Sequence, residues 1–283
     1  MPSLLAAMLL NLAPLHAGEV FVDAARAAAL LDAGAAVIDA RGDKAWAQGH
    51  LPGSRPVAWT SIRAGWLRTG LLTEDAAALA RTFSAAGVRD DAPVLVYGAG
   101  AAGWGEEGRL FWTLEYLGHG DVHVLDGGYP AWVAAGGAVS KAKDPVPAGA
   151  FTPAPVPARR ARVDRVAAAV SDDDVVLWDT RERREYDGAT PYGEPRGGHI
   201  PGAVHLWYAD LLAPDGTLLP TEALTAALTA QGITPDKTVI PLCTGGVRSG
   251  FGYAVLRELG YPQVANYDGS MWEWSADAAR PLE

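Results

Sequence analysis

The 283-residue sequence predicts an α/β protein made of two tandem copies of one domain, each a mostly parallel sheet flanked by helices on both faces. Two observations carry this. Short apolar runs alternate with helix-periodic stretches, the pattern of strand and crossover helix. Motifs of the first half also return in order in the second. Asp39-Ala40-Arg41 recurs as Asp179-Thr180-Arg181, and Gly49-His50-Leu51-Pro52-Gly53 as Gly198-His199-Ile200-Pro201-Gly202. Leu117-Gly118 recurs as Leu259-Gly260, and Asp126-Gly127-Gly128 with Trp132 as Asp268-Gly269-Ser270 with Trp274. Residues 141–160 are rich in Pro, Ala and Gly without an apolar period, so they read as an extended linker between domains at 18–140 and 161–283.

In chain order, residues 24–31 are Ala-rich and helical, and Ala36-Val37-Ile38-Asp39 is a short buried strand. Residues 73–86 read as a helix opened by a Thr73 cap. Pro93-Val94-Leu95-Val96-Tyr97 is the next strand. Residues 106–117 form a helix ended by Gly118, and Val122-His123-Val124-Leu125 is a strand running into Asp126-Gly127-Gly128. In the second half, Thr238-Val239-Ile240-Pro241-Leu242 is apolar and β-branched, hence a buried strand. Val247, Phe251, Val255 and Leu259 then mark a helix over 247–259.

A formal charge of -10 and no Lys/Arg run exclude nucleic acid as a partner, because nothing supplies the basic surface a phosphate backbone demands. An anionic substrate would have to be met by local arginines. A single cysteine excludes an intramolecular disulfide. No cluster of His, Cys, Asp and Glu has metal-ligand spacing, so neither a metal nor a cofactor is implied. Residues 1–17 carry an apolar run, then Pro14 and the small Ala17, and resemble a secretory signal that would direct the chain to the periplasm. No Lys or Arg precedes that run and Asn11 interrupts it, so an amphipathic N-terminal helix on a cytoplasmic protein is the other reading. Export is favoured because the folded part already begins at Glu19. The run is too short to span a bilayer.

The chemistry concentrates at Cys243, which ends the apolar strand and opens a turn into a helix. A structural cysteine would sit within the apolar run, as a small core hydrophobe. Here Gly245 and Gly246 let the backbone bend so that amide N–H groups point at the sulfur, and the following helix presents its positive end. Both favour the thiolate. Thr244, Val247, Arg248 and Ser249 complete the loop, with Arg248 free to fork onto an anionic substrate.

Cys243-Thr244-Gly245-Gly246-Val247-Arg248-Ser249 resembles the active-site loop of rhodaneses, which pass a sulfane sulfur through a cysteine persulfide. The cysteine phosphatase loop is similar but places five residues between Cys and Arg, whereas four intervene here. The repeated motifs also resemble rhodanese hallmarks, so the likeness covers nearly the whole chain. It implies a sulfurtransferase with Cys243 as nucleophile and Thr244 to Ser249 as substrate loop. It further implies thiosulfate as donor and cyanide or a thiol as acceptor; a monomer is the expectation, though no sequence feature sets the oligomeric state. A 3-mercaptopyruvate sulfurtransferase and a persulfide carrier without thiosulfate turnover are the alternatives. Arg248 favours thiosulfate, since mercaptopyruvate-type loops usually end in an uncharged residue. Glu185 departs from the tandem rhodaneses that carry Arg there, leaving Arg183 or Arg184 to lend charge or to form a solvated face. Asp39, Arg41, His50, Asp179, Arg181 and His199 read as scaffold. Register places Gly98 opposite Cys243, so the first domain lacks the nucleophile, and the resemblance to tandem rhodaneses implies that it is inactive and closes over the second. Trp104, Trp207, Trp272 and Trp274 are candidates to wall the cleft.

Overall fold

A computed structural model describes residues 18–143 and 145–283. The secretory-signal reading of residues 1–17, and the periplasmic location with it, lies outside them. The first half runs β1 (Phe21–Val22), α1 (Ala24–Asp32), β2 (Ala36–Asp39), α2 (Asp43–Gln48), β3 (Arg55–Pro56), α3 (Ala76–Ala85), β4 (Val94–Tyr97), α4 (Glu106–Tyr116), β5 (Val122–Leu125) and α5 (Gly128–Ala134). Its strands form one parallel sheet in the order β1-β5-β4-β2-β3. Every residue of β2, β4 and β5 is buried, as expected of strands covered by helices on both faces.

The second half runs α6 (Val163–Ala169), β6 (Val175–Asp179), α7 (Arg183–Tyr186), β7 (Val204–His205), α8 (Thr221–Ala230), β8 (Thr238–Leu242), α9 (Arg248–Glu258) and α10 (Ser270–Trp274). Its parallel sheet is β7-β6-β8, the counterpart of β3-β2-β4. Parallel bridges Val239 to Val264 and Arg160 to Asn266 continue it where β5 and β1 stand in the first half. The duplicated α/β sheet is therefore present twice, its outer members reduced to bridges in the second copy.

Two local expectations change. The helix read over 73–86 starts at Ala76, because Asp75 rather than Thr73 caps it. Asp75 Oδ1 accepts the Ala78 N–H at 2.9 Å, while Thr73 Oγ1 accepts only the Asp75 N–H. The extended linker is not free. The Gly149 N–H donates to Ser84 O, the Phe151 N–H to Ser84 Oγ, and the Ala154 and Val156 N–H groups to Leu117 O and Tyr116 O. Phe151 is buried against Phe83, so backbone bonds and one aromatic anchor pin the segment.

The two halves meet along α4 and α9. A Cβ on Gly108 would strike the Phe251 backbone, and one on Gly250 would lie 2.7 Å from Arg109 Cα, so the helices cross where neither side chain exists. The register set by Leu117-Gly118 and Leu259-Gly260 makes Gly108 and Gly250 equivalent, and the crossing lies on a pseudo-two-fold axis. The repeated Asp-Gly turns obey it too. Asp126 Oδ1 accepts the Leu218 N–H at 2.8 Å, and Asp268 Oδ2 accepts the Leu72 N–H at 2.7 Å, each reaching into the other half.

Candidate active site

Cys243 follows β8 directly and is buried, and its Sγ accepts the Gly246 N–H at 3.1 Å. That geometry needs glycine. Gly246 has φ +76, and a Cβ there would lie 2.6 Å from Asp268 O and against the Arg109 guanidinium. A Cβ on Gly245 would fall into the Trp272 ring. The Cys243 N–H donates to Ser270 Oγ at 3.0 Å, and that hydroxyl donates to Tyr267 O at 2.7 Å. Ser270 holds φ 51 at the repeat position of Gly128, so a side chain that is costly in this backbone region is kept where its hydroxyl anchors the strand end. Burial disfavours the Cys243 thiolate. The Arg248 charge, the Ser249 and Gly245 amides and the Ser249 hydroxyl outweigh it and hold the thiol below its ordinary range. Ser249 is fully buried, and its Oγ has no other partner.

Arg248 stands differently from its expected role as an open fork for substrate. Its Nη1 donates to Glu185 Oε2 at 2.6 Å, and its Nη2 to Glu185 Oε1 at 2.8 Å and Thr244 Oγ1 at 2.6 Å. Thr244 Oγ1 donates to Glu185 Oε1 at 2.7 Å and lies 3.2 Å from Glu194 Oε1. Burial opposes charge on both members of this pair. Their mutual hydrogen bonds prevail, raising the Arg248 pKa and lowering that of Glu185. Glu185 is therefore the group that orients Arg248. Arg183 and Arg184 are exposed and paired with Asp187 and Glu182, the solvated face, and Arg184 also reaches the site's edge, its Nη2 donating to the Tyr192 hydroxyl at 3.1 Å.

A cavity of about 370 Å³ opens over Cys243. Thr244, Gly245, Val247 and Arg248 form its floor, Tyr192 and Trp272 one wall, and Trp59, Trp104 and Glu106 of the first half the other. Two of the expected wall residues are elsewhere. Trp274 is buried in the core with Nε1 donating to Pro281 O, and Trp207 packs edge-on against Tyr208.

The scaffold motifs act alike in both halves. Arg41 donates to Asp39 and to Gly49 O, and Arg181 to Asp179 and to Gly198 O, tying each strand end to its Gly-His turn. His50 stacks on Trp46, and His199 stacks on Tyr186 with ring centroids 3.6 Å apart, its Nδ1 against Tyr186 O rather than the sulfur.

Across the pseudo-two-fold axis, Gly98 stands where Cys243 does. A Cβ at Gly98 would fall on Glu107 Oε2, so the space of a thiol is filled by a carboxyl from α4. Glu107 is buried with Oε2 unpartnered. Burial first, then the neighbouring Glu106, pushes its pKa up to about 8. The first half instead sends Arg109 across. Its Nη1 donates to Gly246 O at 3.1 Å and its Nη2 to Gly70 O at 2.7 Å, placing a fully buried cation behind the Cys243 loop. Burial lowers the Arg109 pKa to about 10, so the guanidinium stays charged at neutral pH. Sequence reasoning found the loop but missed Glu185 as a partner, Ser270, Arg109 and Trp59. For Ser270 alone a signal existed, since it breaks a repeated Gly.

The rhodanese-like domain model matches residues 23–135 and again 162–277, together most of the chain. The chain belongs to the rhodanese family. This rhodanese is 34% identical over 252 residues to a thiosulfate sulfurtransferase of Pseudomonas aeruginosa, covering 87% of this chain and 90% of that protein. It is 34% identical to a sulfur carrier protein of Thermus thermophilus, over 83% of this chain and 85% of that one. Among solved structures it resembles an anaerobic ergothioneine biosynthesis enzyme from Chlorobium limicola bound to trimethyl histidine. That likeness has a TM-score of 0.83 and 25% identity and covers 93% of this chain and 70% of the other. This rhodanese is thus a sulfurtransferase by family. No group of three or more His, Cys, Asp or Glu among its described residues is placed to hold a metal ion. Among those residues no helix is long and apolar enough to cross a membrane.

Proposed function

We propose that this rhodanese takes the outer sulfur of thiosulfate onto Cys243 and passes it to a thiophilic acceptor. The observation that carries this is the Gly246 amide on Cys243 Sγ, at the base of an open cavity, with the thiol held below its ordinary pKa. The Cys243 thiolate attacks the outer sulfur and the S–S bond of thiosulfate breaks. Sulfite leaves with the electron pair, and Cys243 is left as a persulfide anion. The loop amides and the positive end of α9 receive the donor charge, because Arg248 is committed to Glu185. Val247 and Thr244 shape the floor, and Ser249 faces the sulfur. The first half acts as a lid and brace without a nucleophile of its own. Similarity to thiosulfate sulfurtransferases of Pseudomonas aeruginosa and Azotobacter vinelandii supports thiosulfate as donor.

Intact mass after thiosulfate treatment tests the loading step, with a gain of one sulfur atom expected on wild type and none on Cys243→Ser. Steady-state thiosulfate:cyanide turnover then separates an enzyme from a carrier that loads but does not turn over. A clear preference for mercaptopyruvate over thiosulfate would replace the donor. Export to the periplasm remains part of the proposal. N-terminal sequencing of the protein from fractionated host cells should find a start near Gly18, and a cytoplasmic form retaining Leu4 to Leu15 rejects it.

A further inference from the structure

We infer that the hairpin over residues 63–72 is a docking arm for a polypeptide acceptor, which presents a cysteine to the Cys243 persulfide and lays its neighbouring residues along the arm. This rests on the persulfide reading above and names the acceptor class for that same site. A comparison of the two halves is the first observation. In each half an antiparallel bridge closes a hairpin, Arg63 with Leu72 in the first and Leu212 with Leu218 in the second. Each hairpin meets the other half's pocket loop through a glycine. A Cβ on Gly70 would strike Gly245 O and Asp268 O, and one on Gly216 would lie 2.6 Å from the Ala101 nitrogen. The hairpin beside Cys243 is the longer one, residues 64–71 against 213–217. Its twin closes on itself, with Asp215 Oδ1 accepting the Thr217 N–H at 3.1 Å and the Thr217 hydroxyl at 2.7 Å.

What the longer tip carries is the second. Trp66 and Leu67 are 89% and 83% exposed, the two most exposed large apolar side chains among the described residues. A tryptophan beside a leucine is an anchor for a protein contact, and in water it gains nothing. Arg68 follows, exposed and without a hydrogen bond or ion pair among the described residues. Its φ of 51 lies where glycine costs less, so the turn keeps a side chain against its backbone preference.

Position is the third. The Arg63 guanidinium lies 5.3 Å over the Trp59 ring of the cavity wall and donates to Trp66 O, while Arg68 lies beside Gly193, next to Tyr192 of the other wall. The tip is therefore continuous with the cavity mouth. Arg63, Arg68, Arg184 and Arg248 stand at the cavity and its rim against Glu106, Glu182, Glu185 and Glu194, so net charge there selects neither anion nor cation. Arg68, lacking a partner, favours an acidic residue on the incoming segment. A cavity of about 370 Å³ has room for roughly a dozen non-hydrogen atoms, a cysteine residue with a flanking peptide group. A small thiol fills the cavity without touching the tip. An extended chain, at about 3.3 Å per residue, spans both.

The transfer needs no oxidant or reductant. The acceptor thiolate attacks the outer sulfur of the Cys243 persulfide, and the bond from that sulfur to Cys243 breaks. Its electron pair returns to Cys243, and the acceptor cysteine leaves as a persulfide. The test uses persulfide-loaded protein and three acceptors. One is a blocked peptide of about ten residues with a central cysteine, glycine spacers and a leucine-aspartate pair at each end, so that either chain direction is served. The second has serine in place of each leucine and aspartate, and the third is N-acetylcysteine amide. The measurement is the second-order rate of persulfide loss at equal thiolate concentration. The first peptide is expected to exceed the second by about tenfold. Trp66→Ser combined with Leu67→Ser should bring the two within about twofold of each other, and Arg68→Gln should lower the ratio by less. The rate with N-acetylcysteine amide should stay unchanged in these variants, which also shows that their Cys243 site is intact. Equal rates for the two peptides on wild type, or a preference that survives the loss of Trp66 and Leu67, overturns the inference. So does Trp66-dependent binding to phosphatidylglycerol vesicles with equal peptide rates, which assigns the tip to a lipid surface. Inorganic polysulfide loads Cys243 where thiosulfate does not, so a failed donor reading is told apart from a failed docking reading.

Discussion

The two halves share a fold and a register yet differ at three equivalent positions, and the differences are complementary. Where one has Cys243, Arg248 and Ser249, the other has Gly98, Glu106 and Glu107. In the second half, four residues close a tight turn whose Gly246 amide meets the sulfur. Seven residues separate Gly98 from Glu106, and the Glu107 carboxyl occupies the vacated space. The first half has not merely lost a nucleophile. Its helix α4 plugs its own pocket with Glu107 while Arg109, two residues on, braces the partner's loop, so one helix both closes one site and supports the other.

The largest effect expected concerns the sulfur itself. Cys243→Ser should abolish sulfur loading, and adding Gly98→Cys should not restore it, because the new side chain meets Glu107. Recovery of a sulfur adduct by mass in the double variant would break the comparison. Next comes the pair at the equivalent helix starts. Arg248→Ala leaves Glu185 buried and uncompensated and should cost about 3–5 kcal/mol in urea unfolding, whereas Glu106→Ala on the partly exposed cavity wall should cost under about 1 kcal/mol. Combining Arg248→Met with Glu185→Gln should recover part of the larger loss. Equal costs for Arg248→Ala and Glu106→Ala would show that the ion pair is not what distinguishes the two starts.

A third expectation uses pH. The folded-state pKa of Glu107 is raised to about 8, so its stability contribution is full below the ordinary carboxyl range and is lost as pH rises through about 8. Wild type should therefore lose about 2–3 kcal/mol between pH 6 and pH 9 that Glu107→Gln retains. Ser249, at the matching position, gives no such term. Identical pH profiles for the two proteins would mean the carboxyl is already ionised and satisfied. The smallest effect expected is at Arg109. Removing its cation with Arg109→Met should slow alkylation of Cys243 by about tenfold near neutrality and move the pH midpoint of alkylation upward, since a nearby positive charge favours the thiolate. A lower rate with an unmoved midpoint would assign Arg109 to packing alone.

What was legible in the sequence follows from how each feature is encoded. The strands β2, β4, β5 and β8 are contiguous apolar runs, and the Cys243 loop advertises itself by Gly245-Gly246, so both could be read from neighbours along the chain. Glu185 could not, because its partner lies 63 residues away and its sign suggested the opposite role. Arg109 was hidden for a similar reason: it lies on a helix of the other half, and nothing local marks which carbonyl it reaches. The pinning of residues 149–156 is written mostly in backbone hydrogen bonds, which leave no side-chain signature beyond Phe151. Trp207 and Trp274 were misplaced because composition says how many aromatics there are, not which face they occupy.

The crossing of α4 and α9 at Gly108 and Gly250 has the form of an isologous contact, in which the same surface patch meets itself across a two-fold axis. A single domain bearing that patch would be complementary to a second copy of itself, and its pairing would depend on concentration. Joining two copies through one chain replaces that dependence with a fixed effective concentration, so the pair persists at any dilution. It also releases the two patches from having to stay identical. A symmetric dimer must present the same side chain twice, whereas a fused pair can give Cys243 to one partner and Trp104, Glu106 and Arg109 to the other, assembling a single asymmetric cavity that no homodimer of either half could make.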